Sequence, residues 1–421
     1  MFKTLLDKWC PKKMLKLKKF LIMCHEVGWV TSLFFALKHF LKINNFASSV
    51  VEIREALQWP IYEPATKNKE LPRRMKNQVK GNPRSIHWIL PQMSASSGGH
   101  QTATRMISHL IRKQYQVTIW IQELKSSDPS HLQRDLEKFY GISGCKIYPL
   151  SNPDLIEADV LIATDRWTAF PVAAAKKAVK KFYFIQDYES LFYEAGSTSV
   201  MIDYTYKLGL HPITAGVWLK KFLRQQHDLV ADSFDLACDH DIYNTKFRKM
   251  NTTPTVVFYA RGNTPRRCVE LGLMALADLN RRMPEVHIIL FGFDKKGFRV
   301  DFPAEKHGLI SPLEIAALYS RSTVGLSLSA TNHSLIPKEM MACGLPVVEL
   351  NLTNNTSIYP KGTIIYADPH PTRIADRLSE LLLNAEMREL TRKKSLEYVK
   401  RLTWERSAET VEKIILRRFK D

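Results

Sequence analysis

Glu339 heads a short run of apolar and small residues, Met340-Met341-Ala342-Cys343-Gly344, that reads as a helix. A carboxylate there can accept hydrogen bonds from two neighbouring hydroxyls, as a ribose presents them. It also complements the positive end of a helix, an effect of about 0.3–1 kcal/mol. Ser334 and Leu335 come just before, where free backbone N–H groups can hold an anion. Thr331, eight positions ahead of Glu339, carries no charge. Arg261 ends another apolar run, and Arg266 and Arg267 follow Pro265 at a helix start. Guanidinium groups in such places suit a diphosphate, because their forked donors match its oxygens; a solvated basic turn is the plainer reading. Gly98 and Gly99 close a small-residue loop, Ser94-Ala95-Ser96-Ser97. They either let the backbone approach a ligand or simply make a tight strand-to-helix turn. Asp187, in Ile185-Gln186-Asp187-Tyr188, ends a strand. It reads as a carboxylate facing a cleft, or as a helix cap or the partner of a nearby cation.

These residues need a frame that brings them together. Short apolar runs at 85–91, 116–122, 146–150, 158–164 and 181–186 predict strands, with helices between them, one of them over 168–181. The rhythm restarts at 253–261 and continues with a helix over 267–283. Strands at 286–292 and 322–329, a helix from Glu339, and strands at 345–350 and 362–367 follow. Two α/β halves of similar rhythm predict two doubly wound, Rossmann-like domains facing across a cleft, with ligands at the carboxyl ends of the strands. The expected boundaries are an N-terminal domain at 85–250, a C-terminal domain at 251–400 and a last helix at 401–421 packing back toward the first.

The chain has 421 residues, too many for one ordinary core. Its six cysteines are scattered, with no CxxC, which favours buried thiols in a reducing compartment over a disulfide or zinc framework. Asn-x-Ser/Thr triplets at Asn251 and Asn354 carry no weight without a secretory signal. The formal charge is +19, and residues 1–84 hold 17 Lys and Arg against 6 Asp and Glu. Within residues 1–60, Phe20, Met23, Val27, Val30, Phe34, Leu37 and Leu41 form one helical stripe flanked by lysines. Its most apolar stretch has 17 residues and contains His25 and Glu26, too short and too polar to span a bilayer. A basic helix lying on an anionic membrane surface through residues 1–45 fits, as does a helix packed on protein. Residues 61–84 read as a linker.

The glycine-rich loop, the strand-end Arg261, the block Pro337-Lys338-Glu339-Met340-Met341-Ala342-Cys343-Gly344-Leu345-Pro346-Val347-Val348 and the late Leu402-Thr403-Trp404-Glu405-Arg406-Ser407 together resemble the retaining, nucleotide-sugar-dependent glycosyltransferases of the GT-B fold. The resemblance covers about residues 85 to 415. Residues 182–197 and 213–223 look like WsaF-type rhamnosyltransferases, which build bacterial surface polysaccharide from dTDP-L-rhamnose. It implies that Glu339 bonds the ribose, Ser334 and Leu335 the distal phosphate, and Arg261 with Arg266 the diphosphate, while Gly98 and Gly99 close over the phosphates. In that family a second glutamate contacts the sugar near its anomeric carbon. Here that place falls to Thr331, and Asp187 is the nominated substitute. The donor implied is a dTDP- or UDP-sugar, with no cofactor or metal. The implied acceptor is a glycan or lipid-linked glycan, and the implied place is the cytoplasm, at the inner face of the membrane. Two other readings stay open: an inactive GT-B scaffold, because of Thr331, and a charge-driven nucleic-acid binder. The latter lacks a basic face interleaved with aromatics, so no nucleic acid is expected.

Overall fold

The structure is a computed structural model that describes residues 81–421, apart from 93–97, 123–128, 249–252, 263 and 295–297. The predicted basic helix at 1–60, most of the 61–84 linker and the loop residues Ser94 to Ser97 lie outside the described residues.

The first half is built on seven parallel strands: β1 (Ser85–Pro91), β2 (Gln116–Gln122), β3 (Lys146–Pro149), β4 (Glu157–Ala163), β5 (Lys177–Ile185), β6 (His211–Ala215) and β7 (Asp232–Phe234), in the order 3-2-1-4-5-6-7. The second half has six: β8 (Thr255–Tyr259), β9 (His287–Phe291), β10 (Glu305–Gly308), β11 (Val324–Leu326), β12 (Val347–Leu350) and β13 (Ile365–Ala367), in the order 10-9-8-11-12-13. Central strands such as Ser85-Ile-His-Trp-Ile-Leu-Pro91 are nearly continuous apolar runs because helices cover both sheet faces. Trp88 packs edge-on against Phe184, which stacks on Phe234, all nearly inaccessible to solvent.

The helices that matter for the site are α1 (Gly98–Arg112), α2 (Pro129–Tyr140), α3 (Ala169–Ala174), α4 (Ser197–Thr205), α5 (Val217–His227), α6 (Val269–Arg282), α7 (Pro312–Arg321) and α8 (Ile336–Ala342). Then come α9 (Thr353–Thr356), α10 (Pro371–Leu383), α11 (Ala385–Lys400) and α12 (Trp404–Lys420). The last helix belongs to the packing of the first half. Val411, Ile415 and Phe419 are buried, and α12 lies against α1 and β7. Burying each such side chain stabilises by roughly 1.5–3 kcal/mol. Glu412 takes hydrogen bonds from His109 (2.8 Å) and Tyr115 (2.9 Å), and Asp232 takes them from Arg417 (2.6 Å) and Arg418 (2.8 Å). The polar ties fix the register of a helix that the apolar contacts alone would let slide.

The structure departs from the sequence pattern in several places. The helix expected over 168–181 is only α3; from Lys177 the chain is β5, paired with β4 from Glu157 onward. Sheet pairing overrides the Ala-Lys helix propensity there, and the Lys181 ammonium donates to the Ala173 carbonyl at 2.9 Å. Gly98 and Gly99 form the first turn of α1 rather than a loop. The helix expected from Glu339 starts three residues earlier, with Pro337 in its first turn. Strands β6, β7 and β10 have no counterpart in the apolar pattern.

Candidate active site

In each sheet the strand order reverses once, between β1 and β4 in the first half and between β8 and β11 in the second. At such a switch point the loops diverge and leave a crevice beyond the strand ends. The two crevices face each other and merge into a cavity of about 520 Å3. Gly98 and Gly99 follow β1, Thr164 and Asp165 follow β4, Arg261 follows β8, and Ser327 to Thr331 follow β11. The sequence thus needs no special loop fold to assemble the site; the topology does it.

The second half supplies the cationic wall. Arg261, Arg266 and Arg267 all line the cavity. Arg261 lies 3.4 Å from the Tyr259 hydroxyl, Arg267 donates to Ser329 at 2.8 Å, and the Arg266 guanidinium sits 4.0 Å above the Phe192 ring. From the same half, Glu339 also lines the cavity, half-buried near the start of α8. Burial pushes its carboxyl up to about 7, with Arg105 opposing and Asp239 adding to the rise. Ser334 is buried, and its hydroxyl has no hydrogen-bond partner among the described residues although the residue lines the cavity. Leu335 touches the other half, since a Cβ on Gly98 would sit 3.7 Å from its side chain.

The first half supplies the carboxylates. Asp187 follows β5 and is 8% exposed. Its oxygens accept from the Thr331 hydroxyl, the Asn332 N–H and its own neighbour Tyr188 N–H, each at 2.9 Å, and lie 3.5 Å from Arg266 Nε. Burial raises its pKa, against the pull of Arg266 and the Asn332 N–H. Asn332 reaches further across, donating to the carbonyls of Gln186 (2.8 Å) and Ala215 (2.7 Å). Thr331 and Asn332 therefore clasp the first half at the ends of β5 and β6. His333 beside them is buried and its pKa falls well below the usual range, through burial and the charge of Lys338 and Arg267, so it is neutral at pH 7.

Of the residues singled out in the sequence, the cavity surface brings together Gly98, Gly99, Asp187, Arg261, Arg266, Ser334, Leu335 and Glu339. Thr331 is not on that surface; it lies behind it, 3% exposed, with its hydroxyl turned to Asp187. The sequence pattern alone does not single out Asp165, Arg166, Gln186 and Glu189, which line the first half's wall. A signal for them exists: Asp165 and Arg166 directly follow a predicted strand, and Glu189 stands two residues after Asp187. Among the described residues no group of three or more His, Cys, Asp or Glu is placed to hold a metal ion, and no helix is long and apolar enough to cross a membrane.

Two parallel-sheet halves with a shared cleft at their strand ends constitute the GT-B fold. Residues 254–379 match the C-terminal domain of WsaF. The O-antigen biosynthesis protein RfbC of Myxococcus xanthus is 31% identical over 263 residues, 61% of this chain. The chain spans about a fifth of that relative's length, 21%. Anabaena HepE, solved in complex with UDP-glucose, has a TM-score of 0.59 at 12% identity, covering 79% of this chain and 98% of its own. A variant of S. aureus TarM, solved with fondaparinux, α-GlcNAc-glycerol and UDP, has a TM-score of 0.62 at 10% identity, covering 79% of this chain and 99% of its own.

Proposed function

We propose that this chain is a glycosyltransferase of bacterial surface polysaccharide synthesis, moving L-rhamnose from dTDP-L-rhamnose to a glycan acceptor. The observation that carries the transferase reading is the polarity of the cleft. Three arginines and Glu339 line the second half, and carboxylates line the first. A nucleoside diphosphate sugar fits that polarity in one orientation. Its diphosphate meets Arg261 and Arg266, its nucleoside sugar meets Glu339 (through the 3′-hydroxyl alone in a dTDP-sugar, through both hydroxyls in a UDP-sugar), and its transferred sugar points at Asp187. The similarity to RfbC and to the WsaF domain supports polysaccharide synthesis, and the UDP and UDP-glucose bound by the structural neighbours support the donor class. The rhamnosyl donor rests on the resemblance in residues 182–197 and 213–223.

Mechanism follows from where charge develops. As the C1–oxygen bond breaks, the departing diphosphate gains negative charge, and the pre-placed guanidinium groups stabilise it without reorganising. The sugar carbon becomes positive, as in glycoside cleavage, and a buried carboxylate nearby is favourable. Asp187 occupies that role from the opposite half. That position supports transfer over the scaffold reading that Thr331 raised, and the turnover measurement below decides between them. The stereochemical course we take from the resemblance as retention, and the guanidinium groups supply the leaving-group stabilisation that a metal gives elsewhere.

The test is ligand-dependent stability followed by turnover. A ligand that binds only the native state raises apparent stability with its concentration, by about 2.7 kcal/mol at a hundred times its Kd. UDP, dTDP, UDP-glucose and dTDP-L-rhamnose should each be titrated in thermal melts, with nucleoside diphosphate release measured alongside. We expect dTDP-L-rhamnose to shift the melt and to be turned over, and Arg261→Ala to abolish the shift. No shift with any of the four overturns the reading; a shift without turnover reinstates the scaffold.

A further inference from the structure

The first half's wall carries three carboxylates, Asp165, Asp187 and Glu189, and two of them are occupied. Asp165 Oδ1 caps the chain by accepting from the Trp167 and Thr168 N–H groups, both at 3.0 Å, and its other oxygen lies 3.6 Å from Arg166. Asp187 has both oxygens bonded, to Thr331 on one side and to Asn332 and Tyr188 on the other. Glu189 differs. It sits in a single 3-10 turn, Glu189–Phe192, and is 7% exposed overall. Its Oε2 accepts from the Arg166 N–H at 2.5 Å and the Tyr183 hydroxyl at 3.1 Å. Its Oε1 accepts nothing from the described residues, yet is not a sealed orphan, and the residue lines the cavity. A carboxylate held rigidly by one oxygen while the other looks into a substrate cleft is built to receive a hydroxyl.

The surroundings narrow what brings that hydroxyl. Among the described residues, the wall cation beside Glu189 is Arg166, whose charge is balanced by Asp165 and Glu189, while its buried Nε has no hydrogen-bond partner. It donates to the Tyr193 hydroxyl at 2.8 Å and is ringed by Trp167, Tyr193 and Phe192 at 5.6, 5.3 and 5.9 Å. Arg266, beyond Phe192, is paired with Asp187. An anionic sugar on this wall would meet carboxylates whose neighbouring cations are already engaged, whereas an uncharged sugar needs only a hydrogen-bond acceptor. We propose that Glu189 is the acceptor-binding residue of this cleft, its open oxygen holding a hydroxyl of an uncharged pyranose. This rests on the glycosyltransferase reading and deepens it by assigning the acceptor's place and charge class.

Saturation-transfer difference NMR at pH 9, where the Glu189 carboxyl, raised to about 8 by burial, is ionised, tests it on the full chain with UDP bound. The probes are the methyl α-pyranosides of L-rhamnose, D-glucose and D-galactose, and methyl α-D-glucopyranosiduronate as the anionic comparison. At least one neutral glycoside should receive saturation and the uronate none. Glu189→Gln, which keeps the shape but turns an acceptor into a donor, should weaken the neutral glycoside about tenfold while UDP affinity stays within about twofold. Wild-type protein that takes the uronate as well as the neutral sugars overturns the assignment, and needs no variant. So does wild-type protein that takes no neutral glycoside, or a Glu189→Gln protein that binds one undiminished. Failure of UDP to bind wild-type protein would instead strike the parent reading, so the two failures separate.

Discussion

The Thr331 hydroxyl donates a 2.9 Å hydrogen bond to the Asp187 carboxylate, joining residues 144 positions apart and belonging to opposite halves of the molecule. On the proposed reading, the charge that a glutamate at 331 would bring to the sugar site from the second half comes instead from Asp187 of the first, and Thr331 holds that carboxylate in place.

Asp187→Asn keeps the shape and removes the charge. We expect nucleoside diphosphate release to fall roughly 100-fold, about 2.7 kcal/mol of transition-state stabilisation, with nucleotide affinity unchanged. Thr331→Val removes one donor and should cost about tenfold. Because both act through one carboxylate, the double variant should be no slower than Asp187→Asn alone. Additive losses in steady-state rates would show that Thr331 acts independently.

Glu339 titrates in a usable range. Burial lifts it to about 7, so below that pH it carries a proton and can no longer accept from both ribose hydroxyls. UDP affinity, measured by calorimetry from pH 5.5 to 8.5, should strengthen as pH rises through about 7 and level off above it. Glu339→Gln should bind weakly with that step absent. A wild-type affinity flat across the range would exclude Glu339 from the ribose contact.

Glu349 gives a stability prediction away from the ligand. It is fully buried in β12, with Oε1 accepting from the Ser329 and Leu350 N–H groups and Oε2 without a hydrogen-bond partner among the described residues. Burial lifts its pKa from 4.5 to about 8, the two N–H groups only partly opposing. Between those values the folded chain keeps a proton that the unfolded chain has lost, so this residue makes stability fall as pH rises from about 4.5 to 8. Glu189, raised to about 8, acts with the same sign. Denaturant midpoints at pH 5, 6.5 and 8 should fall for wild-type protein and fall less for Glu349→Gln. Parallel curves would show that Glu349 does not titrate in this window.

What can be read from the sequence follows from the range of the forces involved. β1, β2 and β9 are dense apolar runs, and their bounds fall within about a residue of the reading because burial on both faces dictates composition locally. β6 (His-Pro-Ile-Thr-Ala), β7 (Asp-Ser-Phe) and β10 (Glu-Lys-His-Gly) are strands only because neighbours pair with them, and nothing in such short, mixed stretches announces it. The same division holds in the site. Arg261 and Glu339 are legible as charges at a strand end and a helix start. The turning of Thr331 away from the cavity is not, since it depends on a partner in the other half. Glu189 is hidden for a similar reason: its value lies in one oxygen being held by Arg166 and Tyr183, which only the fold brings beside it.

Gly216 tests whether the clasp between halves shapes the site. It links β6 to α5 with φ +91°, a conformation that strains any residue with a side chain. A Cβ there would lie 2.5 Å from His333 Cε1 and 3.1 Å from Ile358 Cδ1. The buried His333 ring must shift to make room, and it adjoins Thr331 and Asn332, which hold Asp187. Gly216→Ala should therefore destabilise by about 1–3 kcal/mol and also slow turnover of the surviving folded protein. Gly262, beside Arg261, has nothing within 4 Å of the place a Cβ would take and no positive φ, so Gly262→Ala should change stability by no more than about 0.5 kcal/mol. Denaturation midpoints and single-turnover rates for the two variants separate the cases. A Gly216→Ala protein with reduced stability but an unchanged turnover rate would show that the clasp supports the fold without setting the geometry of the cleft.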